Sequence, residues 1–163
     1  MAAIKPELLR HQVRMACQHI GLWSEDAEEL LMLTSVGETD LLHVVQLGGG
    51  PARGWFQMEK RTERDIFEHY LNYPARKALK ARVMQLHDLT PASRDPLRDN
   101  PAYAAALARI HYRRVPAALP DREDVMGMAK YHKRYYNTAE GKAVPLETVA
   151  KYNRYILGKE VEA

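Results

Sequence analysis

The chain has 163 residues, 46% hydrophobic and 28% charged, with a formal net charge of +3. That length suits a single domain with a real core and excludes nothing by size except a large multidomain machine, while the composition excludes a disordered or fibrous chain. One cysteine, Cys17, excludes an intramolecular disulfide and a multi-cysteine zinc site.

Lys and Arg are spread along the chain, so nucleic acid is not indicated as a partner; a modest basic surface suits an anionic polymer. The N-terminus shows no basic segment followed by an apolar core, and no stretch has the length of a membrane span, so the chain reads as one made soluble in a cytoplasm.

In chain order, a first helix is expected from Pro6 to a stop at Gly21, with Leu8, Leu9, Val13, Ala16, Cys17 and Ile20 as its apolar stripe. Ser24 caps a second helix, whose first turns are acidic at Glu25, Asp26, Glu28 and Glu29. Its later part, through Leu30, Leu31, Leu33, Thr34 and Val36, is unusually apolar and reads as the buried centre. Glu38 arrives at its end. Residues 41–47 are apolar and fit either a short strand or a helical continuation. Gly48, Gly49, Gly50 and Pro51 then break regular structure.

Thr62 with Asp65 resembles a capping box for a helix over 63–73. Pro74 opens a further helix with Ala78, Leu79, Val83 and Leu86 inward. Residues 90–100 read as loop, and Asn100-Pro101 as a helix start whose packing face includes Tyr103, Ala104, Leu107, Ala108, Ile110 and His111. Pro116 and Pro120 bracket a connector. A helix over 122–135 ends in Tyr135-Tyr136-Asn137, and Pro145 begins a last helix closed by Gly158. The expected architecture is mainly α, one domain over residues 1–163, with a small β or irregular excursion near residues 41–58.

Glu38 is the first chemical candidate. A glutamate ending an apolar helix can sit partly desolvated in a cleft wall, and a carboxylic acid kept protonated there can donate to a leaving oxygen. The plainer alternative is an exposed glutamate at a helix end. The segment Gly48-Gly49-Gly50-Pro51-Ala52-Arg53-Gly54 can bring backbone amides close to a ligand, or it is a tight surface turn; it lacks the Gly-Lys-Ser/Thr ending of a phosphate loop. In Trp55-Phe56-Gln57-Met58 the apolar side chains read as core, and Gln57 offers both a donor and an acceptor to a sugar hydroxyl or N-acetyl group. Tyr136 and Asn137 either face a ligand or close a helix. The seven histidines show no compact metal spacing.

In order, these segments resemble the lysozyme-like superfamily, and within it the soluble lytic transglycosylases. Those enzymes carry an apolar helix ending in Glu-Ser, a glycine-containing segment ending in Gly-Leu-Met-Gln-Ile, and a later Tyr-Asn-x-Gly. Here the same order reads Gly37-Glu38-Thr39, then Gly54-Trp55-Phe56-Gln57-Met58, then Tyr136-Asn137-Thr138 with Gly141 further on. The chain is also similar to small bacteriophage proteins of this fold, through residues 46–59 and 133–142.

The resemblance implies a lysozyme-like domain that cleaves the β-1,4 bond between N-acetylmuramic acid and N-acetylglucosamine. It implies Glu38 as the single acid and base; Thr39, Gln57, Tyr136 and Asn137 as substrate-binding residues; and Gly48, Gly49, Gly50 and Gly54 as the cleft loop. It implies no metal or organic cofactor. Asp40 and Glu59 are the nearby candidates for the second carboxylate that hydrolysis as a muramidase would use. The implied partners are peptidoglycan strands and other phage virion proteins: a chain made in the host cytoplasm, carried in the particle and acting at the cell wall. The standing alternative is a virion protein that keeps the fold without turnover. A helical nucleic-acid binder is a further rival, through the basic residues between Arg76 and Arg82 and through Arg113-Arg114, which otherwise read as solvated helix faces.

Overall fold

Apolar residues at helical spacing dictate most of what forms. The computed structural model describes residues 4–42, 49–137 and 141–159. In α1 (Pro6–His19), Leu9, Val13, Ala16 and Cys17 are buried on one stripe. Leu8, expected on that stripe, lies outside it and is 57% exposed. In α2 (Glu25–Thr39) the Ser24 hydroxyl accepts from the Ala27 amide at 3.0 Å, as its sequence position predicts. Every residue from Leu30 to Val36 is buried. A helix apolar on all sides must be surrounded, and α2 packs against α1, α6, α7 and α8.

The excursion after α2 is irregular rather than β. Among the described residues the chain has no sheet, only an isolated antiparallel bridge between Arg53 and Met58. Of the ambiguous segment 41–47, Leu41 and Leu42 form a turn, and the remainder lies outside the described residues. Next, α3 (Lys60–Ile66) begins three residues before the expected start. Glu59 occupies its N-cap without a side-chain cap bond, so Thr62 and Asp65 sit within the helix and make no capping box. A π-helical turn, Phe67–Leu71, extends it.

A 3-10 turn, Pro74–Arg76, leads into α4 (Lys77–His87), which buries Val83 and Leu86. Ala78, expected inward, is exposed. The expected loop over 90–100 contains a one-turn helix, α5 (Pro96–Asp99). Asn100 caps α6 (Pro101–Arg113): its Oδ1 accepts from the Tyr103 amide at 3.0 Å while its Nδ2 donates to Leu86 O at 2.8 Å. The alanines of α6 let it lie close along α1, the most extensive helix pair in the molecule. Finally α7 (Val125–His132), capped by Asp124, runs into a second π-helical turn, Lys133–Asn137, and α8 (Pro145–Tyr155) crosses back over α2. None of the described helices is long and apolar enough to cross a membrane.

Candidate active site

The C-terminal end of α2 faces α7 and α8 because Gly37 carries no side chain. A Cβ there would lie 3.1 Å from Thr148 Cγ2 and 3.4 Å from His132 Cε1. The next residue, Glu38, reaches into a cleft of about 550 Å³. Its walls include Gln57, Met58 and Glu59 from the irregular segment, Tyr136 and Asn137 from the second π-turn, and Glu147 and Lys151 from α8. Glu38 retains 15% of its side-chain exposure.

Two groups meet on one oxygen of this glutamate. His132 Nε2 lies 2.8 Å from Oε1, and Asn137 Nδ2 donates to the same Oε1 at 3.1 Å. His132 and Asn137 are five positions apart. On a regular α-helix, five residues at 3.6 per turn would put them about 140° apart around the axis. The π-turn over Lys133–Asn137 bonds residues five apart and so stacks them, which brings both onto one carboxylate. Asn137 is itself held: Lys133 Nζ donates to its Oδ1 at 3.2 Å, and so does the Ala143 amide. Lys133 also donates to Gly141 O at 2.7 Å. A Cβ at Gly141 would fall 2.1 Å from Asn137 Oδ1, so this glycine is needed for the chain to close over Asn137.

Tyr136 forms a wall of the site. Its hydroxyl donates to Phe56 O at 2.5 Å, tying the π-turn to the irregular segment, and its ring stacks on His132 at 5.8 Å. Burial, with Glu38 nearby, holds the phenol well above its ordinary range, so it stays protonated. His111 meets the Tyr136 ring edge-on at 5.2 Å. Burial, reinforced by the Arg114 guanidinium, pushes the His111 ring down to about 4. Gln57 adopts a left-handed backbone, φ 46°, and its Nε2 donates to Gly54 O at 3.0 Å. Among the described residues its Oε1 has no donor, so an acceptor is left at the cleft wall.

The remaining expected residues fall differently. Thr39 is fully buried. Its hydroxyl donates to Ser35 O at 2.8 Å and accepts from the Leu41 amide at 3.1 Å. One step around the helix from Glu38, it faces inward and terminates α2, so the expected substrate contact is corrected to a structural one. The glycines of the loop do not line the cleft among the described residues. Among the described residues nothing lies near a Cβ placed on Gly49, and Gly50 O accepts from Arg53 at 2.7 Å. Gly54 is required by packing: at φ +82° a Cβ would lie 1.9 Å from Leu97 O. Gly48 lies outside the described residues. Trp55, Phe56 and Met58 are buried, as their apolar character implies.

Of the second-carboxylate candidates, Asp40 and Glu59 both line the cleft. Asp40 pairs with Lys151 at 3.0 Å, and Glu59 pairs with Arg61. Sequence reasoning missed His132, Lys133, Glu147 and Lys151. Only a five-residue spacing pointed to His132, and that spacing reads as a face only once a π-turn is known. Among the described residues no cluster of three or more His, Cys, Asp or Glu is arranged to hold a metal ion.

No protein-family model, no curated protein and no solved structure matches this chain.

Proposed function

We propose that the chain is a lysozyme-like domain that cleaves the N-acetylmuramic acid to N-acetylglucosamine bond of peptidoglycan by lytic transglycosylation, with Glu38 as acid and then base. The observation that carries this reading is a partly buried carboxylate, Glu38, held by two groups on Oε1 at the wall of a cleft of about 550 Å³. A cleft of that size is in the ordinary range for ligand sites. Asn137 donates to Oε1, and Glu38 carries the acid proton.

In the first step that proton passes to the glycosidic oxygen as the bond from C1 breaks. The substrate's own 6-hydroxyl then attacks C1 and gives its proton to the Glu38 carboxylate, which closes a 1,6-anhydro ring and regenerates the acid. Gln57 Oε1 accepts from a substrate hydroxyl or amide, and Tyr136 braces the wall beside it. Asp40 and Glu59 are each engaged by a cation, while Glu147 also lines the cleft, so the products decide between transglycosylation and hydrolysis. In this reading the chain works as part of a phage particle made in a host cytoplasm. Its partners are the glycan strand and neighbouring virion proteins, and nucleic acid is not among them.

A specific observation favours a second reading, in which the domain is catalytically silent. His132 is fully buried beside Glu38, so this pair also serves to fasten α2 to α7. Digestion of purified peptidoglycan, followed by borohydride reduction and mass analysis, separates the readings. Transglycosylation leaves anhydro ends that resist reduction, and hydrolysis leaves reducing ends that take up two hydrogens. The silent reading gives no soluble products at all.

A further inference from the structure

We propose that His132 is the positioning residue for Glu38: its Nε2–H holds Oε1 and thereby fixes the acid proton on Oε2. The proposal rests on the reading of Glu38 as the acid and deepens it. His132 is fully buried and, among the described residues, does not line the cleft, so its part is exerted through Glu38.

The side chain is enclosed on every described side. It is 0% exposed, stacks on Tyr136 at 29° between ring planes, and has Gly37 against Cε1. Its Nδ1 is buried and, among the described residues, has no hydrogen-bond partner. Two neutral tautomers therefore have different consequences. With the proton on Nδ1, a buried N–H would have no acceptor. The bare Nε2 would then face Oε1 and require a proton on that oxygen, where Asn137 already donates. With the proton on Nε2, Oε1 receives two donors and the unpartnered atom is only a lone pair. Orphaned buried N–H groups are rarer and costlier than under-used acceptors. The structure thus assigns the Nε2–H tautomer.

The consequence is directional. A carboxylic acid can place its proton on either oxygen, but two donors on Oε1 make it the carbonyl oxygen and leave Oε2 to carry the proton. The carboxylate plane is also fixed, since His132 comes from α7 and Asn137 from the end of the π-turn. The device belongs to the π-turn: without it the two donors could not converge.

The test combines kinetics on soluble glycan strands with nitrogen-15 NMR of the histidine rings in the full chain. In the wild type, the His132 ring is expected to show a protonated Nε2 and a bare Nδ1. His132→Leu should lower kcat about 100-fold with KM within about twofold, the scale of a misdirected general acid. His132→Gln, whose amide N–H can reach the same oxygen, should stay within about fivefold of wild type. A ring protonated on Nδ1 overturns the proposal, as does a folded Leu variant with wild-type kcat. If the Leu variant does not fold, the ring spectrum and the Gln variant decide, and a Gln variant that folds but loses about 100-fold overturns the proposal. A wild type that releases no product overturns the transglycosylase reading and the catalytic use of His132 together, whereas a wrong tautomer in an active enzyme overturns the positioning role alone.

Discussion

Adjacent residues at the end of α2 have opposite fates. Glu38 faces the cleft and Thr39 the interior, because one residue turns the helix by about 100°. Both were candidates in the sequence, and only the direction of the helix face separates them. That direction was not legible, since residues 30–36 are buried on every side and, with only Thr34 and Ser35 polar, define no exposed face. Thr39→Val should therefore destabilise the fold by about 1–3 kcal/mol, because it strips the partner from a buried amide. Thr39→Ser should cost less. Urea denaturation measures both, and a Val variant as stable as wild type would contradict the assignment. Cys17 was legible from its stripe. Burial pushes its thiol up to about 12, so a thiol reagent at pH 8 should leave the native protein unlabelled and react fully once it is unfolded. Rapid labelling of native protein would contradict that burial.

Among the elements, helix starts were the most readable feature. Ser24, Asn100 and the prolines at positions 6, 101 and 145 stand where caps and first turns require them. The π-turns were not readable, because they answer to tertiary demands rather than to local propensity. Nor was the purpose of the glycine segment. It reads as a ligand loop by composition, but Gly54 is fixed by the close approach of Leu97 O in α5, a contact between segments far apart in sequence. Two substitutions separate these causes. Gly49 and Gly54 both have positive φ, +79° and +82°, but among the described residues only a Cβ at Gly54 would meet backbone. Gly49→Ala should cost about 1–2 kcal/mol, the left-handed strain alone. Gly54→Ala should cost several times more or prevent folding, as thermal denaturation would show. Equal losses at the two sites would mean that packing against α5 is not what selects Gly54.

Over the whole molecule, the mainly α architecture was legible from helical periodicity, and the cleft followed from where the helices end. Two ionisable groups tie that architecture to pH. Burial, then Arg114, lowers the His111 ring from 6.5 to about 4. The unfolded chain binds its proton first, so this contribution is complete above pH 6.5 and is lost as pH falls toward 4. Burial alone would raise Glu28, but hydrogen bonds from Arg14, Trp23 and Arg10 outweigh it and bring the carboxyl from 4.5 to about 2. Its contribution is complete above pH 4.5 and is lost as pH falls toward 2. The Tm should fall across both windows. His111→Gln should flatten the upper one and Glu28→Gln the lower one. A wild-type Tm constant from pH 7 to pH 4 would contradict the His111 assignment.

Everything proposed about activity depends on Glu38 as the acid of an open glycan cleft. The direct measurement is mass analysis of muropeptides released from purified peptidoglycan by wild type and by Glu38→Gln, at matched folded fraction judged by circular dichroism. Wild type should release products with 1,6-anhydro ends, and the Gln variant should release about 1,000-fold less or none, the loss expected when a general acid is removed. No release by the wild type, or equal release by the two proteins, would contradict the account.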